Sequence, residues 1–193
     1  NTDVQHLRLE GAAYGKISQT SRANVRLYYY RSERGLPGAT IFYNTDNASK
    51  QRLWDKTFFA QAHYRNDFSE TWAIQANAKY NYGYQHYLDP TYLNSAGKLE
   101  NFYRQHEGYG SVALLYNPYP ALQVSAATDL TSATLDANLY NFVYPRRITL
   151  QSVMAAKFVS EKMTATANVL YTQTDEKAKN GDAAENHRKV SPC

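Results

Sequence analysis

Residues 70–85, ETWAIQANAKYNYGYQ, alternate almost without a miss. Trp72, Ile74, Ala76, Ala78, Tyr80, Tyr82 and Tyr84 fall on one side, and Thr71, Ala73, Gln75, Asn77, Lys79, Asn81 and Gln85 on the other. A side-chain period of two belongs to a strand. The same period recurs along the chain and predicts strands at 4–17, 21–33, 51–65, 70–85, 101–116, 121–133, 146–158 and 163–176. In 163–172 the set Met163, Ala165, Ala167, Val169 and Tyr171 faces away from Thr164, Thr166, Asn168 and Thr172, with Leu170 as an exception on the polar side. Apolar positions do not recur at i, i+3, i+4, and the segments are rich in Thr, Tyr and Val, so the fold class is all-β.

The connections are of two kinds. SQT, NDFSE, NPYPA and VSEK are tight, whereas 34–50, 86–100 and 134–145 are long and polar, and the tail from 177 reads as a fourth long link. The two kinds alternate, which puts all short turns at one edge of an antiparallel meander and all long loops at the other. Strands of ten or more residues with this asymmetry point to a transmembrane β-barrel, with short periplasmic turns and long extracellular loops. On that reading Ile74, Ala76 and Ala78 face lipid. Trp72, Tyr80, Tyr82, Tyr84, Tyr116, Phe158 and Tyr171 sit at the membrane interfaces. A soluble β-sandwich or lipocalin-like barrel is the alternative, since it alternates too.

Both the first strand's start and the eighth strand's end fall at the long-loop edge, the wrong phase for a complete bacterial barrel. HRKVSPC carries no final strand of its own. Residues 1–193 are therefore expected to be one partial barrel domain, an internal segment of a larger one. NTDVQHLRLE has no basic start followed by an apolar run, so if the protein is exported its leader is expected upstream.

Composition sharpens the environment. Mean hydropathy is −0.64, yet the chain has 18 Tyr against 7 Phe. Tyr has an apolar ring and a wet hydroxyl, which suits a boundary between hydrocarbon and water. The formal charge of +4 is spread without a basic stripe, which argues against a nucleic-acid partner. Cys193 is the one cysteine, so neither an intrachain disulfide nor a cysteine-based metal site can form. No nucleophile motif and no Gly-rich strand-to-helix loop occurs, so no enzyme activity and no cofactor are expected.

At VRLYYYRSERGLPGATIF, residues 25–42, an aromatic strand runs into an Arg-Gly-Leu-Pro-Gly loop. This resembles TonB-dependent outer-membrane receptors, with a texture closest to the vitamin B12-type receptors of Bacteroidetes-like bacteria. In such receptors a segment like KVSP leads into a further strand. The resemblance implies a barrel of about 22 strands closed by a plug, located in the outer membrane of a Gram-negative bacterium. It implies import of a scarce nutrient, a cobalamin-like ligand by preference, driven through TonB acting on the plug. Lipid, lipopolysaccharide and a surface lipoprotein would be the other partners. A SusC-like glycan-uptake or adhesin-type barrel, or a small stand-alone structural barrel, are the rival readings.

Candidate ligand-binding residues lie around the long loops. Arg31 and Arg34, with Glu33, precede the Pro-Gly turn and could meet an anionic ligand or make a salt-bridged strand end. Tyr43 and Asp46 lie in YNTDNASK, where Asp46 is a weak candidate for Ca²⁺ and a turn-forming Asx cluster is the other reading. His86, Tyr87, Tyr92, Tyr103 and His106 flank the second long loop, where aromatics with a few polar groups suit a flat ligand as well as a girdle. His86 and His106 could also converge on a metal. Arg146, with Arg147, restarts a strand and could contact lipopolysaccharide phosphates or ligand, with solvated strand-end charge as the other reading.

Overall fold

The computed structural model describes residues 3–36, 50–92, 94–181 and 186–192. Nine antiparallel strands form a single sheet in strict chain order. They are β1 (Val4–Lys16), β2 (Ser21–Gly35), β3 (Arg52–Asp67), β4 (Trp72–Asp89), β5 (Leu99–Tyr119), β6 (Leu122–Ala137), β7 (Arg146–Val159), β8 (Thr164–Lys177) and β9 (His187–Pro192). Among the described residues the sheet is not closed: β1 and β9 each pair on one side only.

All eight expected strands are present, and most are longer than their alternation indicates. The ninth corrects the expectation that HRKVSPC carries no strand: His187–Pro192 pairs with β8 from Thr174↔His187 to Val169↔Pro192. The strand ends joined by the short links 17–20, 68–71, 120–121 and 160–163 lie at one edge, and those joined by the long links lie at the other.

Three of the short turns share one device. Ser18 Oγ accepts from the Thr20 and Ser21 amides at 3.2 and 3.0 Å. Ser69 Oγ accepts from the Thr71 and Trp72 amides at 3.2 and 3.1 Å. Ser160 Oγ accepts from the Met163 amide at 3.2 Å. A serine that satisfies the amide three residues on, and at Ser18 and Ser69 also the amide two residues on, makes a tight reversal without glycine.

The described residues form no conventional core. Among the described residues only Ala73 and Ala137 are buried hydrophobics, and the largest fully buried side chain is Ser32. The chain exposes 13,667 Å², where a folded monomer of its mass exposes about 9,300 Å². Backbone pairing, not layer-on-layer burial, holds the sheet.

Register makes the two faces continuous, because directly opposed residues share a side. One face is apolar. Its row Ser21↔Asn66↔Ile74↔Leu114↔Ala126↔Met154↔Val169 crosses seven strands. From the short turns up to Leu7, Tyr29, Phe58, Tyr82, His106, Ser132, Ile148 and Gln173, this face of β1–β8 holds no Asp, Glu, Lys or Arg. Over the same heights the polar face carries Glu10, Arg26, Arg65, Lys79, Glu107, Asp129 and Lys157.

The strands are also staggered. The row through Lys16, at the end of β1, reaches Leu170, six residues inside the Thr164 end of β8. At about 3.4 Å per residue and about 4.8 Å per strand, six residues over seven strand steps tilt the strands by about 30° from the normal to the short-turn edge.

Candidate functional site

The long-loop end is where polar chemistry gathers, because there the strands outrun the charge-free band and both faces become polar. On the polar face Asp55 is a hub. Arg34 pairs with its Oδ2 at 3.1 Å, Ser32 donates to the same oxygen at 3.4 Å, and Gln85 Nε2 donates to Oδ1 at 3.1 Å. Three neighbouring strands supply these groups: β2 gives Ser32 and Arg34, β3 gives Asp55, and β4 gives Gln85. A second hub lies above it. Asp89 Oδ1 accepts from the Thr91 amide and hydroxyl, both at 2.9 Å, and Oδ2 accepts from Gln51 Nε2 at 2.9 Å. Burial pushes the Asp89 carboxyl up, but these three donors outweigh it and leave it below the usual carboxylate range. Burial, with Asp89 close by, raises the Tyr87 hydroxyl.

The apolar face has its own set. His86 stacks on Trp54 with centroids 4.7 Å apart, and its Nε2 lies 2.9 Å from Glu100 Oε1. Hydrogen bonds from Lys98 and then His86 lower the Glu100 carboxyl. His106 Nδ1 lies 2.7 Å from the Tyr80 hydroxyl, and its ring sits 5.0 Å from that of Tyr82. His86 and His106 thus share a face but not a site. His86 is opposite Phe102, His106 is opposite Tyr82, and each has its own partners. Among the described residues no group of three or more His, Cys, Asp or Glu could hold a metal.

Several candidates lie elsewhere than the loops. Arg31 and Arg34 are inside β2 on opposite faces, His86 and Tyr87 inside β4, and Tyr103 and His106 inside β5. Arg146 is the first residue of β7. For Arg34, His86 and Tyr87 this corrects a loop assignment, because pairing continues past the expected strand ends; Arg31, Tyr103, His106 and Arg146 fall in strands where the alternation already put strands. Tyr92 does lie in a connection, 47% exposed. Tyr87 and Tyr103 are on the polar face with the Asp55 hub, whereas Arg31, His86, His106 and Arg146 are on the apolar face. Tyr43 and Asp46 fall outside the described residues.

The aromatic residues named for the interfaces separate by height. Trp72 and Tyr116 stack at 4.1 Å beside the short turns, and Phe158 faces Leu122 at the same edge. Tyr80, Tyr82 and Tyr84 are toward the other end, where Phe58 joins Tyr80 at 6.4 Å. Tyr171 is between Ser152 and Val190, seven residues along β8 from Thr164.

Sequence reasoning missed Ser32, Asp55, Gln85, Gln51 and Asp89 as a group. It also missed a polar relay lower down, where His63 Nδ1 lies 2.7 Å from Asn77 Oδ1 and Asn77 Nδ2 donates to Ser111 Oγ at 2.9 Å. Period-two counting assigns these residues to the polar face, but only register shows that they meet. The third and fourth long links also touch: the Lys179 amide donates to the Val143 carbonyl at 2.9 Å, and Asn180 Nδ2 to the Phe142 carbonyl at 3.0 Å.

The fold and these faces define an all-β, single-layer, two-faced antiparallel sheet. No protein-family model matches the chain, and no curated protein is significantly similar to it.

Proposed function

We propose that this sheet is a section of the wall of an outer-membrane β-barrel in a Gram-negative bacterium. The observation that carries the reading is the charge-free band on one face, bounded in β4 by aromatic residues at both ends. Ten residues separate Trp72 from Tyr82 and eight separate it from Tyr80. At about 3.4 Å per residue and the tilt of about 30°, those separations are about 29 and 24 Å in height. An outer-membrane barrel carries an apolar band about 25 Å tall between aromatic girdles. The polar face would line a wet interior, and the long links would face outward.

The parent barrel, in this proposal, is a TonB-dependent importer of a scarce nutrient, cobalamin-like by preference, with TonB acting through a plug. Support comes from the resemblance at 25–42 and from the strand count. β1 and β9 both run from the long-loop edge toward the short-turn edge, so joining them directly would need a parallel pair. Antiparallel closure, the pattern of such barrels, requires additional strands. The Asp55 and Asp89 hubs would then shape the inner rim beneath the outer loops.

Two tryptophans at different heights test the membrane part. Trp72 is at the short-turn girdle and Trp54 lies four residues beyond Phe58 on the same face. In phosphatidylcholine vesicles bearing brominated acyl chains, the Trp54→Phe variant, which keeps Trp72, should be strongly quenched. The Trp72→Phe variant should be quenched much less. Equal quenching, or none, would refute a membrane wall. For transport, deletion of the parent gene should abolish growth on limiting cobalamin; unchanged uptake would refute that ligand.

A further inference from the structure

Just above the charge-free band, one row of the apolar face reads Arg31↔Lys56↔Tyr84↔Arg104 across β2, β3, β4 and β5. All three cations are exposed. Lys56 Nζ lies 5.5 Å and the Arg104 guanidinium 5.8 Å from the centroid of the same Tyr84 ring, one from each side strand. Among the described residues none of the three has a carboxylate within ion-pair distance, although Asp136 is opposite Arg104 and Glu33 is two positions from Arg31. Glu33 is engaged by Arg52 at 3.5 Å. Arg26, Arg34, Arg52, Arg65 and Arg147 have acidic partners. Among the described residues Arg22 and Arg146 have none within ion-pair distance either, but neither shares a row with two further cations around one ring.

Like charges placed directly opposite, as Arg31 and Lys56 are, destabilise a sheet. Three unneutralised cations in one row therefore call for an external anion. Their height restricts its source. Tyr84 is two residues beyond Tyr82, about 7 Å further along the strand, which is headgroup level if the aromatic girdle marks the end of the hydrocarbon. We propose that Arg31, Lys56 and Arg104 form a docking site for the phosphate groups of an anionic lipid headgroup on the lipid-facing side of the sheet. Tyr84 holds Lys56 and Arg104 apart so that both reach one headgroup. The site rests on the membrane-wall reading and is separate from any ligand in the barrel interior.

The experiment compares the chain, refolded from detergent, with Arg31→Gln/Lys56→Gln/Arg104→Gln and with the charge-preserving Arg31→Lys/Lys56→Arg/Arg104→Lys. Each is partitioned onto vesicles of pure phosphatidylcholine and of phosphatidylcholine with one fifth diphosphorylated lipid A, with far-ultraviolet circular dichroism as the check on folding. A cation near an anionic surface contributes about a fivefold gain in binding. The parent chain should prefer the lipid A vesicles on the order of a hundredfold at low salt, weakening as salt rises. The glutamine triple should lose that preference while binding phosphatidylcholine as before, and the charge-preserving triple should keep it. Preference retained by the glutamine triple would overturn the site and leave the membrane wall standing. Abolition of the preference by millimolar inorganic phosphate would overturn the lipid as occupant. Failure of all three proteins to bind phosphatidylcholine would overturn both readings.

Discussion

An arginine at Val112 separates a membrane face from a merely exposed one. Val112 lies between Ala76 and Thr128 on the apolar face, and Ala113, one residue on, lies between Gln75 and Ala127 on the polar face. Val112 is four residues from Tyr116, so it stands about 12 Å above the lower girdle at the derived tilt. That is close to the middle of a band about 25 Å tall. There an arginine costs about 2–4 kcal/mol, roughly a 30- to 900-fold change in the folding constant. If the sheet stood in water, Val112 at 51% exposure would accept the change within about 0.5 kcal/mol. The polar-face control Ala113→Arg should stay within about 0.5 kcal/mol in either case. Urea titration in phosphatidylcholine vesicles, followed by tryptophan emission, measures both variants. A large loss for Val112→Arg with little for Ala113→Arg is expected. Equal effects, or a larger one at Ala113, would refute the assignment of faces.

Ser69→Ala should lower stability by about 1 kcal/mol, because two backbone amides lose their acceptor; urea midpoints measure it, and an unchanged midpoint would discount the serine device. The pH dependence follows from Asp89. Its folded carboxyl is held below the usual range, so its contribution is complete above the unfolded value, about 3.9, and is lost as pH falls through the depressed folded one. Urea stability of the parent chain should therefore decline below about pH 4, and Asp89→Asn should flatten that decline; parallel curves would refute the role of Asp89. Trp54→Ala should leave His86 without its stacking partner and destabilise by about 0.5–1.5 kcal/mol, readable as faster exchange of the β3–β4 amides at the long-loop end.

The fold was legible in the sequence where side chains differ sharply between faces. Residues 70–85 and 163–172 alternate cleanly because one face is free of charge, and eight strands were readable for that reason. Beyond the girdle both faces turn polar, so alternation fades and the strand extensions Arg34–Gly35 and His86–Asp89 read as loop. β9 was missed as a strand because six residues with Val190 as their one large apolar side chain give no period to count. The Asp55 hub was invisible for a different reason: Ser32, Asp55 and Gln85 are separated by 23 and 30 residues, and only the register brings them to one oxygen pair. Stagger is likewise a property of turn lengths and pairing, which no single strand records.

The open edge at β1 carries the last prediction. An edge strand presents unpaired backbone groups, and proteins that live in water blunt it with charge, proline, bulges or brevity. β1 has thirteen residues, no proline and no register shift. Its three charged residues, Arg8, Glu10 and Lys16, all lie on the polar face, where Glu10 is engaged by Arg8 at 3.0 Å and by Arg26 and Lys16 is the last residue of the strand. Leu7 and Leu9 are 49% and 57% exposed on the other face. Such an edge templates pairing, and the apolar face beside it adds a driving force once chains meet. The chain alone in buffer should therefore sediment as large, heterogeneous assemblies, and in detergent as a small uniform species, because detergent covers the apolar face. Sedimentation velocity in both solvents is the measurement. A monomer in plain buffer at micromolar concentration would mean that the exposed face and edge are covered by a soluble arrangement, and the membrane-wall proposal would fall with it.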